Sequence, residues 1–279
     1  MTERMIDVDG TTLCTESFGD PANPPLLLIA GTGSSMLWWE AELCSTLADE
    51  GRFVIRYDHR DTGRSTTSPP GHPDYTGDDM ITDAVGVLTA YDIPAAHVVG
   101  VSAGGGIAQL LTLDHPERVL SLTLISTTSA LSSTHALPGP SEEFIRFVST
   151  ATVDWADSAS VVEYLVDYCR VLAGETRPFD ETPWRNLVQG DVDRAHDIAA
   201  IQNHDILQQK SRADQSLSSI TAPTLVLHGT ADPMFPFPHG EALRAAIPGA
   251  ELVALRGAGH GVDRADWETI THTVIKHSA

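Results

Sequence analysis

The chain has 279 residues, 42% of them hydrophobic and 20% charged, with 17 Lys and Arg against 38 Asp and Glu and a formal net charge of −21. A chain of that length can bury about 75% of its unfolded surface, enough for one α/β domain or two small ones. The acidic balance repels phosphate backbones and anionic lipid, so neither nucleic acid nor a membrane surface is expected as a partner, and it reads as a solvated face that keeps the protein soluble.

The start, MTERMIDVDG, lacks the apolar stretch of a secretory signal. No apolar run approaches the ~20 residues needed to cross a bilayer, so a cytoplasmic protein is expected. Cys14, Cys44 and Cys169 lie far apart with neither a CxxC pair nor a His spacing that suggests zinc; they read as reduced structural thiols, and no metal is expected.

In chain order, short apolar runs occur at 25–30 (PLLLIA), 52–57 (RFVIRY), 96–101 (AHVVGV), 120–126 (LSLTLIS), 222–229 (APTLVLHG) and 250–257 (AELVALRG). Continuous apolarity bounded by Gly and Pro marks strands buried on both faces. Helical stretches lie between them. TGDDMITDAVGVLTAYDI opens with Thr76 three residues before Asp79, a capping-box-like start, and puts Met80, Ala84, Val87, Leu88 and Tyr91 on one face. The last helix repeats the pattern with Trp267, Ile270 and Val274. Strands alternating with crossover helices predict an α/β fold: a doubly wound, mostly parallel sheet covered by helices on both faces.

The stretch RYDHRDTGRST after the second run is dense in charge, and Asp58, Arg60, Asp61 and Arg64 read as ion-paired with one another in a structured loop. From 126 to 217 the alternation stops, and SEEFIRFVSTA, SASVVEYLVDYCRVLAG and WRNLVQGDVDRAHDIAAIQNHDIL read as helices. The domain organisation is therefore a core of 1–125 and 218–279 with a helical lid, 126–217, inserted between two strands. Trp155, Tyr164, Tyr168 and Trp184 are candidate liners of an apolar substrate pocket beneath it.

The chemistry gathers on three loops. Gly100-Val101-Ser102-Ala103-Gly104 turns a strand into a helix and forces Ser102 into strained backbone angles that small neighbours allow, at a helix N-terminus with free N–H groups. This is a G-x-S-x-G nucleophile elbow in its required strand–turn–helix context. A serine hydroxyl needs a base and the base an orienting acid. Asp232 follows the strand-like run at 224–228, and His260 sits in a Gly-rich loop after 251–255. Among the other histidines, His228 falls inside its strand and His239 near a helix start, and STTSALSSTHALPGPS (126–141) offers no Asp or Glu as a rival acid. The oxyanion donors are the N–H of Ala103 and that of Thr32, in the loop AGTGSSMLWW with Gly31 and Gly33 on either side.

With these residues placed, the chain resembles the α/β-hydrolase fold over nearly its full length. The strings FGDPANP, VIRYDHRDTGRSTT, AHVVG, LDHPERV and PHG are similar to those of the aclacinomycin methylesterase group, which removes methyl groups from carboxylic esters on polyketide aglycones. The resemblance implies Ser102 as nucleophile, Asp232 as acid, His260 as base, and Thr32 with Ala103 as oxyanion donors. It departs from the group in a shorter lid and in Ala103, where Met is usual. The expectation is a cofactor-free serine esterase acting on a small-molecule ester through an acyl-enzyme. Lactone or carbon–carbon bond hydrolysis and peroxyacid formation on the same triad stand as alternatives, as does, outside enzymes, a silent ligand receptor. Epoxide hydrolysis or dehalogenation would need Asp at position 102.

Overall fold

The computed structural model describes residues 3–131 and 136–279; residues 132–135 of the predicted lid lie outside them. Among the described residues eight strands form one sheet: β1 (Arg4–Val8), β2 (Thr11–Phe18), β3 (Pro25–Ile29), β4 (Phe53–Tyr57), β5 (Ala96–Val101), β6 (Val119–Ile125), β7 (Thr224–Gly229) and β8 (Glu251–Leu255). Their order is β1-β2-β4-β3-β5-β6-β7-β8. The six predicted strands are the parallel part, from β4 through β8. The other two, β1 and β2, pair antiparallel with each other and with β4, and were not foreseen.

Alternating side chains along the central strands feed two cores. Leu27 and Ile29 pack with Ala84, Leu88 and Leu111 under α2 (Gly77–Ala90), α3 (Ala103–Asp114) and α7 (Pro238–Ala246), counting helices in chain order. Leu26 and Leu28 pack on the opposite face with Leu43, Leu47, Ile270 and Val274 under α1 (Ala41–Asp49) and α8 (Trp267–His277). Both faces of the parallel strands β3 to β7 are therefore dry, which is why their sequences read as unbroken apolar runs, whereas the edge strand β8 buries only Leu255. The capping box is formed: Thr76 N donates to Asp79 Oδ2 at 2.7 Å.

The insertion folds as α4 (Glu142–Thr150), α5 (Ser158–Ala173) and α6 (Glu181–Arg194), followed by a 3-10 segment, Ile198–Ile206. It has its own apolar cluster, built on Val161, Val162, Val166 and Val188. Polar contacts dock it on the core. Trp38 Nε1 donates to Asp191 Oδ2 at 2.7 Å, Arg194 Nη1 meets Asp58 Oδ2 at 2.7 Å, and Arg177 takes Asp266 in a fork at 2.7 and 2.9 Å. Burial pushes Asp191 up to about 6. Among the described residues, no helix is long and apolar enough to cross a membrane.

The charged loop after β4 departs from expectation. Its four charged side chains do not pair with one another. Asp58 binds Arg194, Arg60 forks onto Asp83 at 2.7 and 2.8 Å, Arg64 pairs with Glu3, and Asp61 accepts from Tyr75 Oη at 2.7 Å and Asn203 Nδ2 at 2.8 Å. In this tight turn, with Asp61 at φ 63° and Gly63 at φ 49°, successive side chains fan outward to different elements. The loop thereby ties the sheet to α2 and to the insertion.

Candidate active site

Ser102 joins β5 to α3 at φ 54° and ψ −123°. That left-handed conformation costs of order 1–3 kcal/mol in a non-glycine residue and persists only where neighbours over-determine it. Here they do: Ser102 N donates to Ile125 O at 3.0 Å, while Ser102 O accepts from Thr127 Oγ1 at 2.7 Å and Gly105 N at 2.9 Å. The flanking glycines are required by space. A Cβ on Gly100 would strike the Gly104 carbonyl, and one on Gly104 would strike the carbonyl oxygens of Ile29 and Ala30.

Asp232 lies just past β7 with its side chain fully buried. Its Oδ1 accepts from Met234 N at 2.9 Å and Phe235 N at 2.8 Å, which aims Oδ2 at His260 Nδ1, 2.9 Å away. His260 follows β8, its amide donating to Leu172 O of α5 at 2.8 Å and its ring edge-on to Phe235. A carboxylate only accepts, so the His260 proton sits on Nδ1 and the Nε2 lone pair is free. His228 lies within β7 as read; its Nε2 donates to Phe235 O at 2.7 Å, and burial lowers its pKa, so it stands neutral 3.6 Å from Asp232. His239 lies in the first turn of α7, as read.

Ser102 and His260 open on one cavity of about 640 Å³, and among the described residues no hydrogen bond joins them. Such bonds are often long in unliganded enzymes and tighten when substrate binds. Thr32 and Ala103 line the same cavity. Neither backbone amide donates to a described residue; Ala103 N is one of the orphan first-turn amides of α3, and Gly31 brings the Thr32 loop so close that a Cβ there would lie 3.3 Å from Ser102 Cβ. Two backbone N–H groups unpaired among the described residues, of Thr32 and Ala103, thus belong to residues that line the cavity with the serine.

The far wall is aromatic. Trp184 of α6 lines it, stacked on Phe179 at 6.4 Å and tilted against Trp38 at 6.3 Å, and Tyr168 and Leu172 of α5 complete it. Trp155 and Tyr164 do not line the cavity. They meet edge to face at 5.9 Å, partly buried against the insertion's own apolar cluster, and Phe147 of α4 stacks on Tyr164 at 5.5 Å. Phe179 and Phe235 were missed because each sits on an irregular loop without periodicity; Trp38 had a signal, an aromatic pair beside the Gly31–Gly33 loop. All three cysteines are free and buried.

A family model described as the alpha/beta hydrolase fold matches residues 24–262. The chain is 38% identical over 295 aligned residues to rhodomycin D methylesterase DauP from Streptomyces sp. (strain C5), covering 100% of this chain and 98% of that one. It is 36% identical to rhodomycin D methylesterase DnrP from Streptomyces peucetius, with the same coverage. Among solved structures, the esterase RhEst1 from Rhodococcus sp. ECU1013 superimposes with a TM-score of 0.79 at 22% identity over 100% of both chains, a likeness of fold.

Proposed function

Because the chain belongs to the alpha/beta hydrolase fold family and is an ester hydrolase, we propose that Ser102, His260 and Asp232 form its catalytic triad and that it cleaves methyl esters of bulky aromatic acids. The observation that carries this is the 2.9 Å bond from His260 Nδ1 to buried Asp232, which frees Nε2 beside a cavity into which the strained Ser102 also opens.

In this mechanism His260 Nε2 takes the Ser102 proton as Oγ attacks the ester carbonyl. The oxyanion accepts from Thr32 N–H and Ala103 N–H, donors already fixed before charge develops. The imidazolium, held by the Asp232 carboxylate, protonates the departing alkoxide, and the acid remains on Ser102. Water activated by His260 then releases it. No step calls for a cofactor.

The insertion acts as a lid whose Trp184, Phe179 and Tyr168 form a wall suited to a planar aromatic acid. The two rhodomycin D methylesterases support that class of substrate. The free buried thiols fit a reducing compartment, and the cytoplasm is the proposed location. The test sets methyl esters of polycyclic aromatic acids beside p-nitrophenyl esters of graded length, with wild type and Ser102→Ala. Turnover of the aromatic methyl esters by wild type alone is expected; equal turnover by folded Ser102→Ala overturns the serine mechanism.

A further inference from the structure

His204, in the 3-10 segment of the insertion, touches the loop that carries Thr32. Gly33 N donates to His204 Nδ1 at 2.9 Å, across 171 positions of sequence, and His204 Nε2 donates to Arg60 O at 2.8 Å. A carbonyl only accepts, so the second bond fixes the proton on Nε2 and leaves Nδ1 as the acceptor for Gly33. Burial lowers the pKa of His204, against the Arg60 carbonyl bond and the charges of Asp61 and Asp205, so the ring stays neutral.

The segment bearing this ring is itself pinned. Asn203, fully buried, donates to Asp61 Oδ2 at 2.8 Å and accepts from Gly71 N at 2.7 Å. Ile201 covers the other side of the loop, where a Cβ on Gly33 would lie 3.3 Å from Ile201 Cβ. Gly33 stands at φ 65° between these contacts, so the loop has a glycine's freedom that the insertion removes.

We infer that His204 is a positioning residue: by accepting the Gly33 N–H it holds the Gly31–Gly33 peptides so that the Thr32 N–H faces the oxyanion formed beside Ser102. This rests on the reading of Thr32 as an oxyanion donor. The insertion then does more than wall the pocket; it completes the site that stabilises charge. An interaction realised in the transition state acts on kcat and leaves KM nearly unchanged.

Two amide substitutions separate the two bonds. His204→Asn places an acceptor near Nδ1 and gives up the bond to Arg60, whereas His204→Gln places a donor near Nε2 and gives up the acceptor for Gly33. With p-nitrophenyl butyrate, His204→Gln is expected to lower kcat by about 10- to 100-fold, less than the roughly 10²- to 10³-fold lost when an oxyanion donor is removed outright, with KM within about twofold. Its preference for the ester over the matching thionoester shrinks in parallel, because sulfur is the weaker acceptor. His204→Asn keeps kcat within about threefold of wild type. Melting curves establish that both are folded, and His204→Phe replaces the glutamine variant should that one not fold. Equal loss in His204→Asn and His204→Gln (or its replacement His204→Phe), no loss in either, or a loss that leaves the ester-to-thionoester ratio unchanged overturns the inference. Inactive Ser102→Ala together with an unaffected His204→Gln removes this inference alone; active Ser102→Ala removes the mechanism beneath it.

Discussion

The amide of His260 donates to the carbonyl of Leu172 at 2.8 Å, so the histidine that faces Asp232 is held by a helix of the insertion as well as by the sheet. Gly259 makes the approach possible, since its Cα packs against the Leu172 and Ala173 carbonyls where no side chain fits. The site is thus clamped at two points by the insertion: Leu172 at the histidine loop and His204 at the Thr32 loop.

Replacing members of the proposed triad tests the core of the proposed mechanism. Ser102→Ala and His260→Ala are expected to lower kcat by roughly four to six orders of magnitude, and Asp232→Asn by roughly 10⁴-fold, because the amide favours the wrong histidine tautomer. The variants stay folded by circular dichroism. An organophosphonate labels Ser102 once per chain in wild type; label recovered by mass spectrometry at another serine moves the nucleophile.

The Leu172 clamp predicts that Gly259→Ala lowers kcat by about 10- to 100-fold, since a displacement of about 1 Å at a reacting group costs on that order. Gly139→Ala, where nothing lies within 4 Å of the added carbon, serves as the control and leaves turnover unchanged. Steady-state kinetics on one ester decide it, and equal activity of the two variants contradicts the clamp.

The aromatic wall separates two tryptophans that look alike in sequence. Trp184→Ala is expected to narrow the preference for large aromatic over acetate esters by about 1–3 kcal/mol in kcat/KM, with acetate turnover little changed. Trp155→Ala, packed against the insertion's own cluster and away from the cavity, is expected to lower the melting temperature and leave the preference as it was. A preference that shifts equally in both variants means that Trp184 holds up the fold and does not select substrate.

Acid sensitivity is expected from His59. Its ring is buried, Nε2 donates to Ala30 O at 3.0 Å, and burial with the nearby His204 pushes its pKa down to about 3. The folded state therefore keeps His59 neutral while the unfolded chain takes up a proton below the ordinary histidine pKa of about 6.5. Stability is full above about pH 6.5 and falls by about 1.4 kcal/mol per pH unit toward pH 3 from this group. His59→Gln keeps a donor for Ala30 O without the titration. Urea unfolding at pH 7.5, 6 and 5 is expected to show a shallower loss in that variant; parallel slopes place the acid sensitivity elsewhere.

Local signals were legible without the fold. The six apolar runs became the parallel strands, five of them buried on both faces and the edge strand β8 only in part, and the Thr76–Asp79 pair capped its helix because a cap is a contact within one turn. The hairpin β1–β2 had a signal that went unused: Asp9-Gly10, both at positive φ, between short polar-and-apolar strands. Its edge strand β1 buries only Ile6 and Val8, too little to stand out as an apolar run.

By itself the sequence determined the strand–turn–helix at Ser102 and the order in which Ser102, Asp232 and His260 arrive at the carboxyl ends of parallel strands. These follow from neighbouring residues, whose backbone demands are met wherever the segment sits. Only the tertiary structure decided which aromatic faces the cavity, where the charges of Asp58, Arg60, Asp61 and Arg64 find partners, and that His204 reaches Gly33. Trp184 and Trp155 have the same chemistry, and their surroundings differ because Trp155 packs on Tyr164 of α5 while α6 turns Trp184 to the cavity. Contacts spanning more than a hundred residues depend on how the insertion docks, and no local spacing encodes that.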